Sequence, residues 1–289
     1  MTPTIELYFG EPVLDPFLIG ANPLNFGTVV KQTTTKIVVE DDLGNKVVFT
    51  GDLTPGGEVN GFKFKSNGIK VAQGEDFEVD FATFETALGN PKPGNEVLSL
   101  LFLEAPIIKG SPYRDVAMGL PGDGLVAKGR DGDDVLIGGE GSQTIKGGKG
   151  NDVIGGGGEK DKLFGGKGND IFLFDIGTGP GGGPKRVLDE DPVLAVHRIK
   201  NFDRKDDVIL LTGNSLDAET GGPLSKDAFV VDTEATTADH RVIYDDETGS
   251  LYLDEDGSGE LMAPVKFGKV DPGTKLKARD FFIDDQILT

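Results

Sequence analysis

Cysteine is absent from the 289 residues, so no disulfide framework, thiolate metal site or thiol redox chemistry can form. Histidine is nearly absent as well. His197 and His240 are far apart in sequence, and a lone histidine is more often packed or surface-exposed than a ligand. No H-E-x-x-H and no G-x-S-x-G occurs, so the usual secreted protease and lipase chemistries are unsupported. No stretch approaches the roughly 20 apolar residues of a membrane span. The start, "MTPTIELYFGEPVLDPFLIG", lacks the basic and apolar regions of a cleaved signal peptide, so any export is expected to use another route. Cations are outnumbered, with 29 Lys and Arg against 49 Asp and Glu, giving a net charge of -20 and a pI near 4.4. That charge disfavours nucleic acid or anionic membrane as the main partner and points instead to divalent cations.

What is abundant is glycine, at 44 residues, much of it in "GGKGNDVIGGGGEKDKLFGGKGNDIFL" at 147–173. Glycine loses the most backbone freedom on folding, and by composition alone this stretch would be a flexible linker. Its register argues otherwise. Written in lines of nine from Gly129, the chain reads GRDGDDVLI, GGEGSQTIK, GGKGNDVIG, GGGEKDKLF and GGKGNDIFL. The sixth position holds Asp134, Gln143, Asp152, Asp161 and Asp170, and the eighth holds Leu136, Ile145, Ile154, Leu163 and Phe172. Two degenerate units precede them: "GSPYRDVAM" with Asp115 sixth, and the ten-residue "GLPGDGLVAK" with Gly124 sixth. Asparagine after each "GGKG" rules out a P-loop, which needs Ser or Thr there.

The residue types fit a hard cation. Glycines allow tight turning and expose backbone carbonyls, and the aspartate adds a charged oxygen. The residues after each loop form a short strand, in which position eight points inward while seven and nine point out. One apolar residue in nine makes a thin core, so bound metal has to supply much of the stability.

The pattern matches the nonapeptide G-G-x-G-x-D-x-U-x, and the segment resembles an RTX, or hemolysin-type, calcium-binding β-roll. The resemblance implies two units per turn of a flattened right-handed solenoid, with calcium held between loops two units apart. The units then fall into two columns. One carries Asp115, Asp134, Asp152 and Asp170; the other carries Gly124, Gln143 and Asp161, with Glu159 in place of a fourth-position glycine. Expected ligands on the first edge are the carboxylates of Asp134, Asp152 and Asp170, with loop oxygens of Gly129, Asp131, Gly132, Gly147, Lys149, Gly150, Gly165, Lys167 and Gly168. Asp115 is a weaker candidate, and a site at Gln143 and Asp161 is expected to be poor.

Downstream, "HRIKNFDRKDDVILL" at 197–211 resembles the segment that follows RTX arrays, with His197 and Asn201 standing where aspartates are usual. Asp207 there is either a ligand or a loop cap. "IFLFD" reads as a closing strand and "GTGPGGGPKRVLDEDP" as a Gly/Pro-rich loop. "RVIYDDETGSLYLDEDGSGE" reads as a β-hairpin whose Asp254, Asp256, Ser258 and Gly259 imitate half of an EF-hand loop. Val265 stands where that loop needs glutamate, so a solvated acidic turn is expected, with a weak cation site as the other reading. The ending "ARDFFIDDQILT" resembles the C-terminal export signals that RTX proteins present to type I secretion machinery.

Before the array, "KIVVEDD", "KVVFTGD", "GFKFKS" and "GIKVA" read as strands, while "FATFETAL" and "EVLSLLFLEA" read as short helices. The expected whole is an all-β protein: a β-rich N-terminal domain at 1–109 covering the first turn, a calcium-binding roll at 110–175, and a capping region with secretion signal at 176–289. The expected function is a secreted or cell-surface protein that folds on calcium outside the cell and binds a surface or polysaccharide without catalysis. The alternative is a carbohydrate-active enzyme, or an accessory module of one, carrying an RTX export domain.

Overall fold

The computed structural model describes residues 4–7, 28–40, 45–66, 69–80, 107–110, 112–120, 123–176, 196–212, 221–259 and 263–283. It is built almost entirely of strands. The N-terminal region supplies β1 (Thr4–Leu7), β2 (Thr28–Thr33), β3 (Lys36–Glu40), β4 (Asn45–Gly51), β5 (Glu58–Ser66) and β6 (Ile69–Asp80). The four strand-like runs of this region fall on β3 to β6. Strands β2 to β6 pair antiparallel in sequence order, which lines up Ile37, Phe49 and Phe62 across one buried face. The two runs read as helices, at 81–88 and 96–105, lie outside the described residues, as does the Gly/Pro-rich loop at 177–192.

The repeats give β7 (Ile107–Lys109), β8 (Val116–Leu120), β9 (Val126–Asp131), β10 (Val135–Gly138), β11 (Thr144–Lys149), β12 (Val153–Gly155), β13 (Lys162–Lys167) and β14 (Ile171–Asp175). Alternate strands pair in parallel. β7, β9, β11 and β13 form one sheet and β8, β10, β12 and β14 the other. Val126, Thr144 and Lys162 stand side by side, so two nine-residue units make one turn. Between the sheets run the eighth-position side chains, with Ala127 as their register equivalent in the ten-residue unit: Ala127, Ile145 and Leu163 from one, Leu136, Ile154 and Phe172 from the other, all buried. Burying each large member contributes about 1.5–3 kcal/mol, a modest sum for so many fixed glycines.

The roll does not close at "IFLFD". β15 (His197–Lys200) and β16 (Val208–Thr212) add a further turn, pairing with β13 and β14. There follow β17 (Gly222–Pro223), β18 (Phe229–Val231), the hairpin β19 (Val242–Asp245) and β20 (Ser250–Leu253), β21 (Val265–Lys269) and β22 (Phe281–Ile283). β21 pairs with β15 and β22 with β16, so both columns run on without glycine loops. The expected hairpin is present: Val242 faces Leu253, Tyr244 faces Leu251, and the Asp245 carboxylate accepts from the amides of Glu247 and Thr248. At the other end β1 lies parallel to β7 and antiparallel to β6, which joins the N-terminal meander edge-on to the first sheet.

Register corrects one expectation. Thr144 pairs with Val126, so the residue level with Gln143 and Asp161 is buried Leu125, not Gly124. The tenth residue of that unit is absorbed where pairing shifts between Leu136 and Gly138 on β10 and the facing β8.

Candidate metal centre

Each loop folds its sixth-position carboxylate back over its own first glycine. A Cβ on Gly129, Gly147 or Gly165 would lie 2.0, 2.1 or 2.2 Å from Oδ2 of Asp134, Asp152 or Asp170. Only glycine leaves room for that oxygen. The other oxygen builds a ladder between turns. Asp134 Oδ1 accepts from the Asp115 amide at 2.8 Å, Asp152 Oδ1 from Asp134 at 2.9 Å, and Asp170 Oδ1 from Asp152 at 3.0 Å. A second rung runs beside it at position five, where Asn151 donates its amide to Asp133 and Asn169 donates to Asn151. Loops one turn apart are therefore fixed to each other by side chain and backbone together.

Oδ2 of Asp134, Asp152 and Asp170 is buried and has no hydrogen-bond partner. Among the described residues no three Asp, Glu or His side chains converge as a metal cluster, so a cation here would draw its remaining ligands from loop carbonyls. A buried carboxylate oxygen without a donor costs free energy unless a cation or proton joins it. The donor set, all oxygen, suits calcium. Burial pushes Asp134 up to about 8, with the neighbouring Asp115 and Asp152 carboxylates adding to it, and the backbone amide opposing. Burial raises Asp152 to about 6, and Asp170 is raised for the same reason.

These shifts set a pH dependence. A carboxyl raised in the folded chain holds its proton there more tightly than in the unfolded chain, so folding is favoured at low pH and that contribution fades as pH climbs through about 6 and 8. In chelator, far-UV circular dichroism should report more β structure at about pH 5.5 than at about pH 8. Calcium competes with those protons, so its affinity should rise over the same interval. A chelated chain that gains β structure as pH rises would contradict this.

The second edge is built differently. Asp161 Oδ1 accepts from the Gln143 amide at 2.6 Å, but the Gln143 side chain turns to donate to the Glu140 carbonyl. Above Asp161 stands His197, only 7% exposed, with Nδ1 3.0 Å from Asp161 Oδ2. Asp161 Oδ2, like Oδ2 on the first edge, makes no hydrogen bond, but here an imidazole nitrogen stands beside it. Its position was visible as the departure from aspartate at the start of the 197–211 segment; its partner was not.

The structure brings Asp115, Asp134, Asp152 and Asp170 into one column, and adds Asp207 one turn above. Asp207 Oδ1 accepts from the Asp170 amide at 3.2 Å and Oδ2 from the Asp203 amide at 2.8 Å, so both of its oxygens are engaged. Lys149 and Lys167 offer carbonyls that already accept the amides of Gly132 and Gly150, while the Lys149 ammonium pairs with Asp131. Asn201 points its backbone amide at Asp271. In the hairpin loop Asp254 is buried, not solvated as a surface acidic turn would be, and its amide donates to the Arg241 carbonyl.

Stacked glycine loops, one inward apolar residue per unit and a carboxylate column define a calcium-binding parallel β-roll. Residues 128–162 and 137–172 match the RTX calcium-binding nonapeptide repeat, in four copies. The central array of the chain is thus made of hemolysin-type RTX calcium-binding repeats. No curated protein matches the chain. Among the described residues no helix is long and apolar enough to cross a membrane.

Proposed function

We propose that this protein is exported unfolded through a type I apparatus, folds when its β-roll takes up calcium outside the cell, and then binds a surface without catalysis. The buried, unpartnered Oδ2 atoms stacked on Asp134, Asp152 and Asp170 carry this reading. Calcium would be held by these carboxylates and by loop carbonyls of Gly129 to Gly132, Gly147 to Gly150 and Gly165 to Gly168, with Asp115 closing the column below. It would supply the positive charge that a column of carboxylates one turn apart lacks. Where calcium is scarce the loops repel and the single file of core side chains is too thin to compensate, which keeps the chain competent for export.

Circular dichroism of the full chain during calcium titration tests the coupling. β structure of the roll should appear cooperatively near the 10⁻⁴ to 10⁻³ M of extracellular calcium modules, on the order of what such sites bind. β structure already complete in excess chelator at neutral pH would sink the mechanism. Export is checked separately, by asking whether removal of the last residues, from Ala278 on, keeps the protein out of the culture medium.

A further inference from the structure

The outer face of the sheet that holds β7, β9, β11, β13, β15 and β21 is a lattice of cations. Register aligns Lys109, Lys128, Lys146, Phe164 and Lys200 in one row. It aligns Val126, Thr144, Lys162, Arg198 and Lys269 in the row beside it. The facing sheet shows no such feature: its equivalent rows contain Val116, Val135, Val153, Ile171 and Val208, then Ile137, Gly155, Leu173 and Leu210. Seven of the 29 Lys and Arg of a chain with net charge -20 thus stand on the outer side of one sheet.

Within the lattice Lys200 pairs with Asp271 at the far end. Lys128, Lys146, Lys162 and Lys269 have no ion-pair partner among the described residues, and Arg198 makes no ion pair but lies near enough to Asp271 for its charge to lower that carboxyl. Neighbouring strands lie about 4.8 Å apart, and like charges directly opposite each other across strands are destabilising. Lys128 faces Lys146, and Lys162, Arg198 and Lys269 face one another in turn. A mixed surface would keep the sheet soluble without this repulsion, so the arrangement calls for an anion that bridges many strands.

We propose that this face docks a linear acidic polysaccharide, whose carboxylate or sulfate groups meet the cation rows one strand after another. The inference rests on the surface-binding reading above and gives that surface a place and a chemistry. A single-stranded nucleic acid fits less well, because such platforms rely on aromatic side chains that stack bases. The one aromatic in the rows, Phe164, is covered by the Lys146 ammonium 5.0 Å from its ring centroid.

The test is binding of the full chain, in calcium, to polygalacturonate and to dextran sulfate, with neutral dextran and a single-stranded DNA oligomer alongside. Wild type should bind one or both acidic glycans, more weakly as salt rises, and leave neutral dextran alone. Binding to only one identifies carboxylate or sulfate as the partner chemistry. Lys146→Glu with Lys162→Glu should weaken binding by about tenfold or more, and the milder Lys146→Gln with Lys162→Gln should move it in the same direction while relieving repulsion within the sheet. The same charge reversal at exposed Lys205 and Lys226 should change it by less than about twofold.

Equal losses for the two charge-reversed pairs, or tighter binding of the DNA oligomer than of either glycan, would overturn the proposal. No binding by a roll that folds on calcium defeats the docking face alone. Binding by a roll that is complete in chelator defeats the calcium coupling alone.

Discussion

Asp152→Asn should raise the calcium concentration needed to fold the roll by about tenfold or more, while making the chelated chain more folded than wild type. The opposite signs follow from what asparagine keeps and loses. Its side-chain oxygen can still accept the Asp134 amide that Asp152 Oδ1 now accepts at 2.9 Å, so the ladder is preserved. It removes a charge from a buried position beside the Asp170 and Asp133 carboxylates, which is what burial and neighbours penalise in the metal-free chain. What is lost is the anionic Oδ2, which in the proposed calcium column would serve the sites on either side of Asp152.

Asp161→Asn is the matched control. Asp161 occupies the same position in its unit and accepts an equivalent amide from Gln143, but its second oxygen already faces His197. The calcium midpoint should therefore shift by less than about threefold. Equal shifts for the two variants, read by circular dichroism across a calcium titration, would remove the distinction between the edges. A variant Asp152→Asn that is no better folded in chelator would remove the account of its buried charge.

The array was the most legible part of the chain because its constraints are local. Nine residues fix the glycine under the carboxylate, the carboxylate itself and one inward side chain, and Asp134, Asp152 and Asp170 stand where their spacing put them. The hairpin at Val242 to Leu253 was legible for the same reason. The pairing of β21 with β15 and of β22 with β16 was not, since it joins residues about seventy positions apart with no glycine loop to mark the period. Leu125 was misplaced because a ten-residue unit can absorb its extra residue on either side of the sixth position, and only strand register decides. The cation lattice was hidden in plain view: lysines at seventh and ninth positions look scattered until alternate units are assigned to the same sheet.

That assignment also governs which glycines the roll can do without. Gly148, second in its unit, has φ of +131° and would place a Cβ 2.0 Å from the Arg130 carbonyl oxygen and 2.8 Å from its carbonyl carbon. Both atoms belong to the backbone of the adjoining strand, held by the ladder, so nothing can move aside. Gly166 meets the Gly148 carbonyl in the same way at 2.2 Å. Arg130 itself occupies the equivalent position with φ of +94°, and its guanidinium donates to the Gly110 carbonyl. Gly124 also has positive φ, +79°, yet a Cβ there would meet nothing within 4 Å.

Gly124→Ala should thus cost only the backbone strain, about 1 kcal/mol, whereas Gly148→Ala adds a backbone clash and should cost about 3 kcal/mol or more. Urea unfolding in saturating calcium measures both. Because a strand pushed away at Gly148 also pulls its loop from the carboxylate ladder, Gly148→Ala should weaken calcium binding as well as stability, and Gly124→Ala should leave binding unchanged. Similar costs for the two alanines would mean that turning alone, and not the close approach of stacked backbones, is what the glycines supply.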